Sequence, residues 1–170
     1  MYFIAAAINH RFYQKGTMDA LSLNCNPEMI VATITGVPNK PGVLSYIYAQ
    51  LTEAGIGVDL ATGTSDGQHL GNISFAFAKI EIDASRAVLD RLCRTMGAKG
   101  YTYDGNAALL TVYESGAADK GWQERVFTAL AAEGVNILMA SLAINMLTVI
   151  AGKKQLPGPL DCLKELGISY

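Results

Sequence analysis

One pattern of turn, helix and strand occurs twice in this sequence, and the repeat limits the possible folds more than any other feature. Gly42 and Gly121 each stand at the start of a predicted helix, 79 positions apart, and Gly55 and Gly134 follow the two helices at the same spacing. A glycine just beyond the last apolar residue is a common helix stop. Because both glycine pairs have the same spacing, the two segments align without an insertion or deletion. The chain of 170 residues is therefore predicted to contain two copies of one unit.

The first copy predicts strand, helix, strand, strand, helix and strand, in that order. An apolar run ends at Gly36, and residues 41–54 carry apolar side chains at three- and four-residue spacings, typical of one helix face. Ile73, Phe75 and Phe77 alternate with small residues, as in a strand with one buried face. This order is that of a ferredoxin-like α+β fold, in which helices cover one face of an antiparallel sheet. A second such unit is predicted from Ala108 onward.

The ends of the chain are less regular. Residues 2–8 predict a short first strand, and residues 10–28 predict a polar connecting segment. A last helix is predicted from about Pro157 to Leu166, with its prolines tolerated in or before the first turn.

Composition and charge exclude several classes of protein. Hydrophobic residues make up 51% of the chain and charged residues 16%, yet no apolar run is long enough to span a membrane, so the excess apolar surface favours an oligomer interface. A net charge of −2 without a basic cluster argues against a nucleic-acid partner. The three cysteines are widely spaced, which is typical of reduced thiols in a cytoplasmic protein and predicts neither disulfides nor a zinc site.

Catalytic and cofactor motifs are absent from the sequence. His10 and His69 lie in polar, loop-like contexts without a nucleophile motif, and no glycine-rich phosphate loop follows a strand. The sequence therefore predicts no enzyme activity, no metal and no cofactor.

The turn and the strand after the first helix carry a resemblance to a known family. Residues 36–43, Gly-Val-Pro-Asn-Lys-Pro-Gly-Val, and residues 54–60, Ala-Gly-Ile-Gly-Val-Asp-Leu, resemble the first ACT domain of the regulatory region of aspartate kinase. The resemblance covers roughly residues 30–150. It implies a first ACT unit at 29–104, inserted in a second unit formed by 1–9 and 107–170, with 10–28 as the connection. By analogy, the strand at 2–8 would complete the second unit.

The same resemblance implies a binding site for a free amino acid at a dimer interface. In the family, the ligand lies between the strand–helix turn of one subunit and the second strand of the facing subunit, with its carboxylate at the helix start. The ligand-binding residues implied for this chain are Asn39, Lys40, Pro41, Gly42, Val43, Leu60, Ala61, Thr62, Gly63, Thr64, Asn72, Asn136 and Ile137. Asn136 is equally compatible with an ordinary polar position on a strand.

This chain departs from the family pattern at two places. Asn39 stands where the family usually has an acidic residue, and Gly63-Thr64 stands where it often has Gln-Asn. An amide keeps a hydrogen-bond acceptor but removes the charge that would pair with the ligand's ammonium. In the second copy, Trp122 stands at the first turn of the helix and is expected to pack in the core.

The resulting hypothesis is a cytoplasmic regulatory protein that senses lysine or threonine as a homodimer, with an aspartate kinase catalytic subunit as a further candidate partner. The catalytic kinase domain is absent, so the chain is expected to be a separate regulatory subunit, a fragment or a stand-alone sensor, and Met1 favours a natural start. Two alternatives remain open: a ligand-free assembly module, and a regulatory subunit of another amino-acid biosynthetic enzyme. A small enzyme on the same scaffold is the weakest alternative.

Overall fold

The computed structural model describes residues 21–65, 67, 69–115, 120–156, 160–161, 163–164 and 168. Within these residues, six strands form one antiparallel sheet and three α-helices are present. The elements are β1 (Leu21–Pro38), α1 (Val43–Glu53), β2 (Leu60–Ser65), β3 (Leu70–Ala78), α2 (Ile82–Met96), β4 (Gly100–Glu114), α3 (Trp122–Ala132), β5 (Ile137–Leu142) and β6 (Met146–Gly152). Short 3-10 turns, Lys79–Glu81 and Lys153–Gln155, follow β3 and β6. The predicted α+β fold class is confirmed.

The sheet has the strand order β2-β3-β1-β4-β6-β5, and its two long central strands belong to both halves. The first half consists of β2, β3, the later part of β1 and the early part of β4. The second half consists of the first residues of β1, the later part of β4, β6 and β5. Each half therefore has the four-strand arrangement of a ferredoxin-like unit, and the two units share a continuous sheet.

The repeat seen in the sequence is also present in the structure. α1 and α3 are both 11 residues long, and each starts directly after a glycine in the left-handed region, Gly42 with φ 89° and Gly121 with φ 99°. A residue with a Cβ is strained in this conformation, so glycine is the residue that fits both helix starts.

Two features of the sheet differ from the sequence prediction. The irregular connection predicted for residues 10–28 is wrong at its end, because β1 begins at Leu21 and residues 21–26 pair with residues 109–114 of β4. The sequence pattern that indicates this strand is the alternation of apolar Leu21 and Leu23, which are buried, with polar Ser22 and Asn24, which are exposed. Residues 2–8, which were expected to complete the second unit, lie outside the described residues. The last strand of the first predicted unit and the strand predicted from Ala108 onward are one continuous strand, β4.

Three hydrophobic clusters hold the fold together. The first half packs β1 and β3 against α1 and α2, with Phe75, Ile47 and Leu92 fully buried. The second half packs β4 and β6 against α3 around Trp122 and Leu130. A third cluster lies on the helix-free side of the sheet and joins the two halves; its members are Met29, Val31, Leu60, Ala76, Ala107, Met139 and Ile150. The end strands β2 and β5 approach each other there, which shows that the sheet is strongly curved.

Across the described part of the chain, no helix is long and apolar enough to cross a membrane.

Candidate functional site

The turn between β1 and α1 leaves donor groups free at the start of the helix. Gly42 precedes the helix, and no side chain caps it. The Val43 amide donates weakly to the Lys40 carbonyl at 3.4 Å, and the Tyr46 amide donates to the Gly42 carbonyl at 3.0 Å. The amides of Leu44 and Ser45, between them, have no hydrogen-bond partner among the described residues. A helix start of this kind favours a negatively charged group.

Asn39 ties this turn to the hairpin formed by β2 and β3. Its backbone amide donates to the carbonyl of His69 at 2.8 Å, and its side-chain Nδ2 donates to Ser65 Oγ at 2.9 Å. His69 has φ 72°, a conformation that non-glycine residues rarely adopt. The Asn39 Oδ1 atom has no partner within the described part of the chain. Asn39 therefore positions the turn against the end of β2 and still offers one acceptor.

A cavity of about 310 Å³ lies between the turn, the start of α1 and the edge strand β2. Seven of the residues implied by the resemblance line it: Asn39, Lys40, Val43, Ala61, Thr62, Gly63 and Thr64. The sequence did not indicate the other lining residues, which are Val37, Pro38, Leu44, Ser65, Gly71 and Ile73. Ser65, Gly71 and Ile73 depend on the register of the β2–β3 hairpin, in which Ser65 pairs with Gly71 and Gly63 with Ile73.

Pro41 and Gly42 line a different cavity. They face a more open space of about 410 Å³ between the turn and the end of α2, together with Lys40, Tyr46 and Met96. Lys40 and Val43 line both cavities, so the turn separates two concave surfaces.

The remaining residues implied by the resemblance lie outside both cavities. Leu60 is buried in the third hydrophobic cluster. Asn72 accepts a hydrogen bond from the Gly36 amide at 3.2 Å and so supports the end of β1. Asn136 is exposed and Ile137 packs against the core of the second half, so this chain does not bring either residue to the cavity. Their role in binding stays a prediction.

The loop that leads into β2 is held by a half-buried carboxylate. Glu81 Oε1 accepts a hydrogen bond from the Gly57 amide at 3.1 Å, whereas its Oε2 atom is buried without a partner among the described residues. Burial, and secondarily the charge of Glu81, raise the pKa of Asp59. These carboxylates stand outside the lining of the cavity, and the described residues contain no cluster of side chains suited to a metal ion.

The corresponding region of the second half has a different character. Trp122 takes the position of Val43 and is 3% exposed in the core, as expected from the sequence. Beside it, an open groove of about 590 Å³ runs between α3 and β5; it is lined by Gly121, Gln123, Glu124, Phe127, Thr128, Ala131 and Leu142. Among the described residues that line this groove, only Gly121 comes from the turn before the helix, and no polar side chain of that turn lines it.

Comparison with known proteins identifies the kind of region to which this chain corresponds. No family model matches the sequence. An aspartate kinase from Pseudomonas fluorescens is 30% identical over 125 residues, which are 73% of this chain and 30% of that protein. The regulatory subunit of aspartate kinase from Thermus thermophilus, in a ligand-free form, superimposes with a TM-score of 0.78 over 86% of this chain and 98% of the subunit, at 19% identity. The chain is similar to the regulatory region of aspartate kinase.

An aspartate kinase shares the same fold over part of its length. The enzyme from Synechocystis superimposes with a TM-score of 0.80 and 16% identity, over 91% of this chain and 28% of the enzyme. The chain spans about 30% of the length of the curated aspartate kinases it matches. It covers nearly all of the isolated regulatory subunit from Thermus thermophilus. These superpositions show that the chain has the fold of the regulatory subunit and of the matching part of the enzyme.

Proposed function

We propose that this chain is a pair of ACT units that binds a free amino acid of the lysine or threonine class and passes its occupancy to an aspartate kinase. The observation that carries the proposal is the 310 Å³ cavity, because it combines the β1–α1 turn, which bears the family resemblance, with strand β2, the strand against which the resemblance places the ligand. This volume lies at the small end of the range found for small-molecule sites.

The groups around the cavity match the two ends of an amino acid. The free amide of Leu44, which lines the cavity, with the positive end of the α1 dipole, suits an α-carboxylate; the free amide of Ser45 is next to it in the first turn. The Asn39 Oδ1 atom is an acceptor for the α-ammonium group, since the Nδ2 atom of the same side chain is engaged by Ser65. The apolar side chains Val37, Val43 and Ile73 provide a dry wall for the ligand's side chain.

Regulation would follow from a shift between two arrangements of paired subunits. β2 is an end strand of the sheet, and the cavity opens beside it, so a second copy of the chain at this edge would contact the ligand. A ligand that bridges two subunits stabilises the arrangement it binds best, and only by its difference in affinity for the two arrangements. A strictly monomeric protein in solution would contradict this part of the proposal.

Thermal unfolding in the presence of each of the twenty amino acids at millimolar concentration tests the proposal. A ligand present at 100 times its Kd stabilises the folded state by about 2.7 kcal/mol, which for a chain of this size raises Tm by roughly 5 to 10 °C. The proposal predicts such a shift for at least one amino acid. The absence of a shift with all twenty would contradict it.

Gly42→Ala and Gly121→Ala form a matched pair of variants for this experiment. Both glycines precede a helix in the left-handed region, so each substitution is expected to cost roughly 1 kcal/mol of folding free energy. Only Gly42 belongs to the turn of the cavity-bearing half. The ligand-induced shift should therefore be lost in Gly42→Ala and kept in Gly121→Ala.

A second candidate function is an assembly module that pairs its sheets without any ligand. It is favoured by the hydrogen bond between Asn39 and Ser65, which uses part of the side chain that stands in place of the family's acidic residue. This candidate predicts a dimer whose Tm no amino acid changes.

A further inference from the structure

We infer that the amino acid bound in the 310 Å³ cavity has an uncharged side chain, and that Lys40 discriminates against cationic ligands such as lysine and arginine. The inference rests on the proposed function and narrows its lysine or threonine class to threonine and other neutral amino acids.

The charges around the cavity carry this inference. Lys40 is the one charged side chain among the described residues that line it; every other lining residue is apolar or offers only hydroxyl, amide or backbone groups. A cationic side chain that leaves water needs a carboxylate partner to offset its lost hydration. The described residues of the lining provide no such partner, and Lys40 places a second cation there instead.

The uncharged groups in the lining fit a neutral side chain. Apolar contact is available from Val37, Val43, Leu44, Ala61 and Ile73. Ser65 lies on the same face of β2 as Ala61 and offers a hydroxyl, although its Oγ atom already accepts from Asn39 Nδ2 at 2.9 Å and from the Gly67 amide at 3.2 Å. Thr62 and Thr64 line the cavity from the strand but share the face of Leu60, so their hydroxyls point away from α1.

Lys40 is a suitable position for testing this charge effect. Its side chain is exposed, and its backbone carbonyl, which accepts from Val43, is unchanged by substitution. Variants at this position should therefore fold normally. Lys120 stands at the corresponding turn of the second half and is also exposed, so Lys120→Glu is a control with the same change of charge at a distance from the cavity.

The test compares L-lysine with L-norleucine, which has the same carbon chain without the side-chain ammonium group, and with the neutral amino acid that stabilises the protein most. Calorimetric titration of the full chain at low ionic strength should give lysine an affinity at least about tenfold lower than that of the best neutral ligand. Lys40→Met should reduce this difference in affinity, and Lys40→Glu should reverse the preference in favour of lysine. Lys120→Glu should leave the difference in affinity unchanged.

The possible outcomes separate this inference from the proposed function. Lysine binding to the unmodified chain as tightly as the best neutral ligand overturns the inference and leaves the proposed function standing. In that case, lysine binding to an Asp66→Asn variant tests whether Asp66, which lies outside the described residues, supplies a carboxylate partner for the ligand's side-chain ammonium group. If Lys40→Glu does not change the difference in affinity between lysine and the best neutral ligand, the role assigned to Lys40 is overturned. If no amino acid binds, the proposed function fails and the inference fails with it.

Discussion

At the scale of single residues, a few polar side chains fix the elements that surround the candidate site. Ser85 on α2 is completely buried, and its hydroxyl donates to the Ile82 carbonyl at 2.7 Å. The hydroxyl of Tyr103 on β4 lies 2.7 Å from the same oxygen, and because serine has one proton to give, Tyr103 is the donor of that bond. Arg86 lies over the Tyr103 ring, 5.3 Å from its centroid. These contacts hold α2 against the sheet.

Replacement of Ser85 by alanine should destabilise the protein by about 1 to 2 kcal/mol, because it leaves the Tyr103 hydroxyl without its acceptor. Urea unfolding of Ser85→Ala, Tyr103→Phe and the double variant measures this loss and the coupling between the two side chains. The cost of Ser85→Ala should be smaller when Tyr103 is already phenylalanine. An equal cost in both backgrounds would contradict the assigned hydrogen bond.

The sequence could predict which residues belong to the turn but could not predict how they are bonded. Asn39 follows from the family resemblance, which depends on the local order of residues along the chain. Its bonds to Ser65 and His69 depend on the pairing of β2 with β3 and on the unusual backbone of His69, which no local pattern specifies. For the same reason, Ser65 and Ile73 were absent from the predicted site.

At the scale of secondary structure, α1 and α3 show how one repeated element serves two different roles. Both helices start after a left-handed glycine and have the same length. Their first residues differ: Val43 is half-buried beside the cavity, and Trp122 is buried in the core of the second half. The first helix start is therefore available to a ligand, whereas the second is used for packing.

Alanine substitutions at these two positions should have very different effects on stability. Trp122→Ala removes a buried aromatic side chain and should cost about 3 to 5 kcal/mol, whereas Val43→Ala should cost about 1 kcal/mol or less. Urea unfolding of both variants gives the comparison. A cost for Trp122→Ala near that for Val43→Ala would mean that the tryptophan does not support the core.

The helices were predictable because each of them carries its own signals, an apolar stripe and a terminal glycine. The long strands were less predictable, since β1 and β4 are shared by both halves and their length depends on partners that lie far away in the sequence. The pattern at Leu21 and Leu23 is short and follows a polar segment, so its role as a strand became evident only from its pairing with β4.

At the scale of the whole molecule, the two halves are joined at the irregular point where β1 passes from one half to the other. The register between β1 and β4 shifts on both sides of Met29, next to Glu28. Glu28 forms ion pairs with Lys79 and Lys153, which begin the equivalent 3-10 turns of the first and second halves. One carboxylate thus contacts the same position of both repeats.

The Glu28 ion pairs should make stability depend on pH in the acid range. The hydrogen bond and charge of Lys153, with a smaller contribution from Lys79, hold the pKa of Glu28 below its usual value. A lowered carboxyl pKa contributes stability that is present above the pKa of the unfolded chain and is lost as the pH falls through the folded value.

The difference in unfolding free energy between the unmodified chain and Glu28→Gln should therefore be constant from about pH 7 to pH 5 and should shrink below the ordinary glutamate pKa of about 4.3. High salt should reduce the difference, because all three side chains are exposed. Urea unfolding over this pH range measures it. A difference that does not change with pH would show that the ion pairs do not contribute.

The central claim is that the first half binds an amino acid between its turn and strand β2, whereas the described residues of the second half form no equivalent site. The most direct test is an NMR titration of the backbone amides with the amino acid that raises Tm most. The account predicts the largest shifts at Leu44, Ser45 and residues 61–65, with little change at residues 121–128. Shifts centred on the groove between α3 and β5, or no saturable shift in either half, would contradict it.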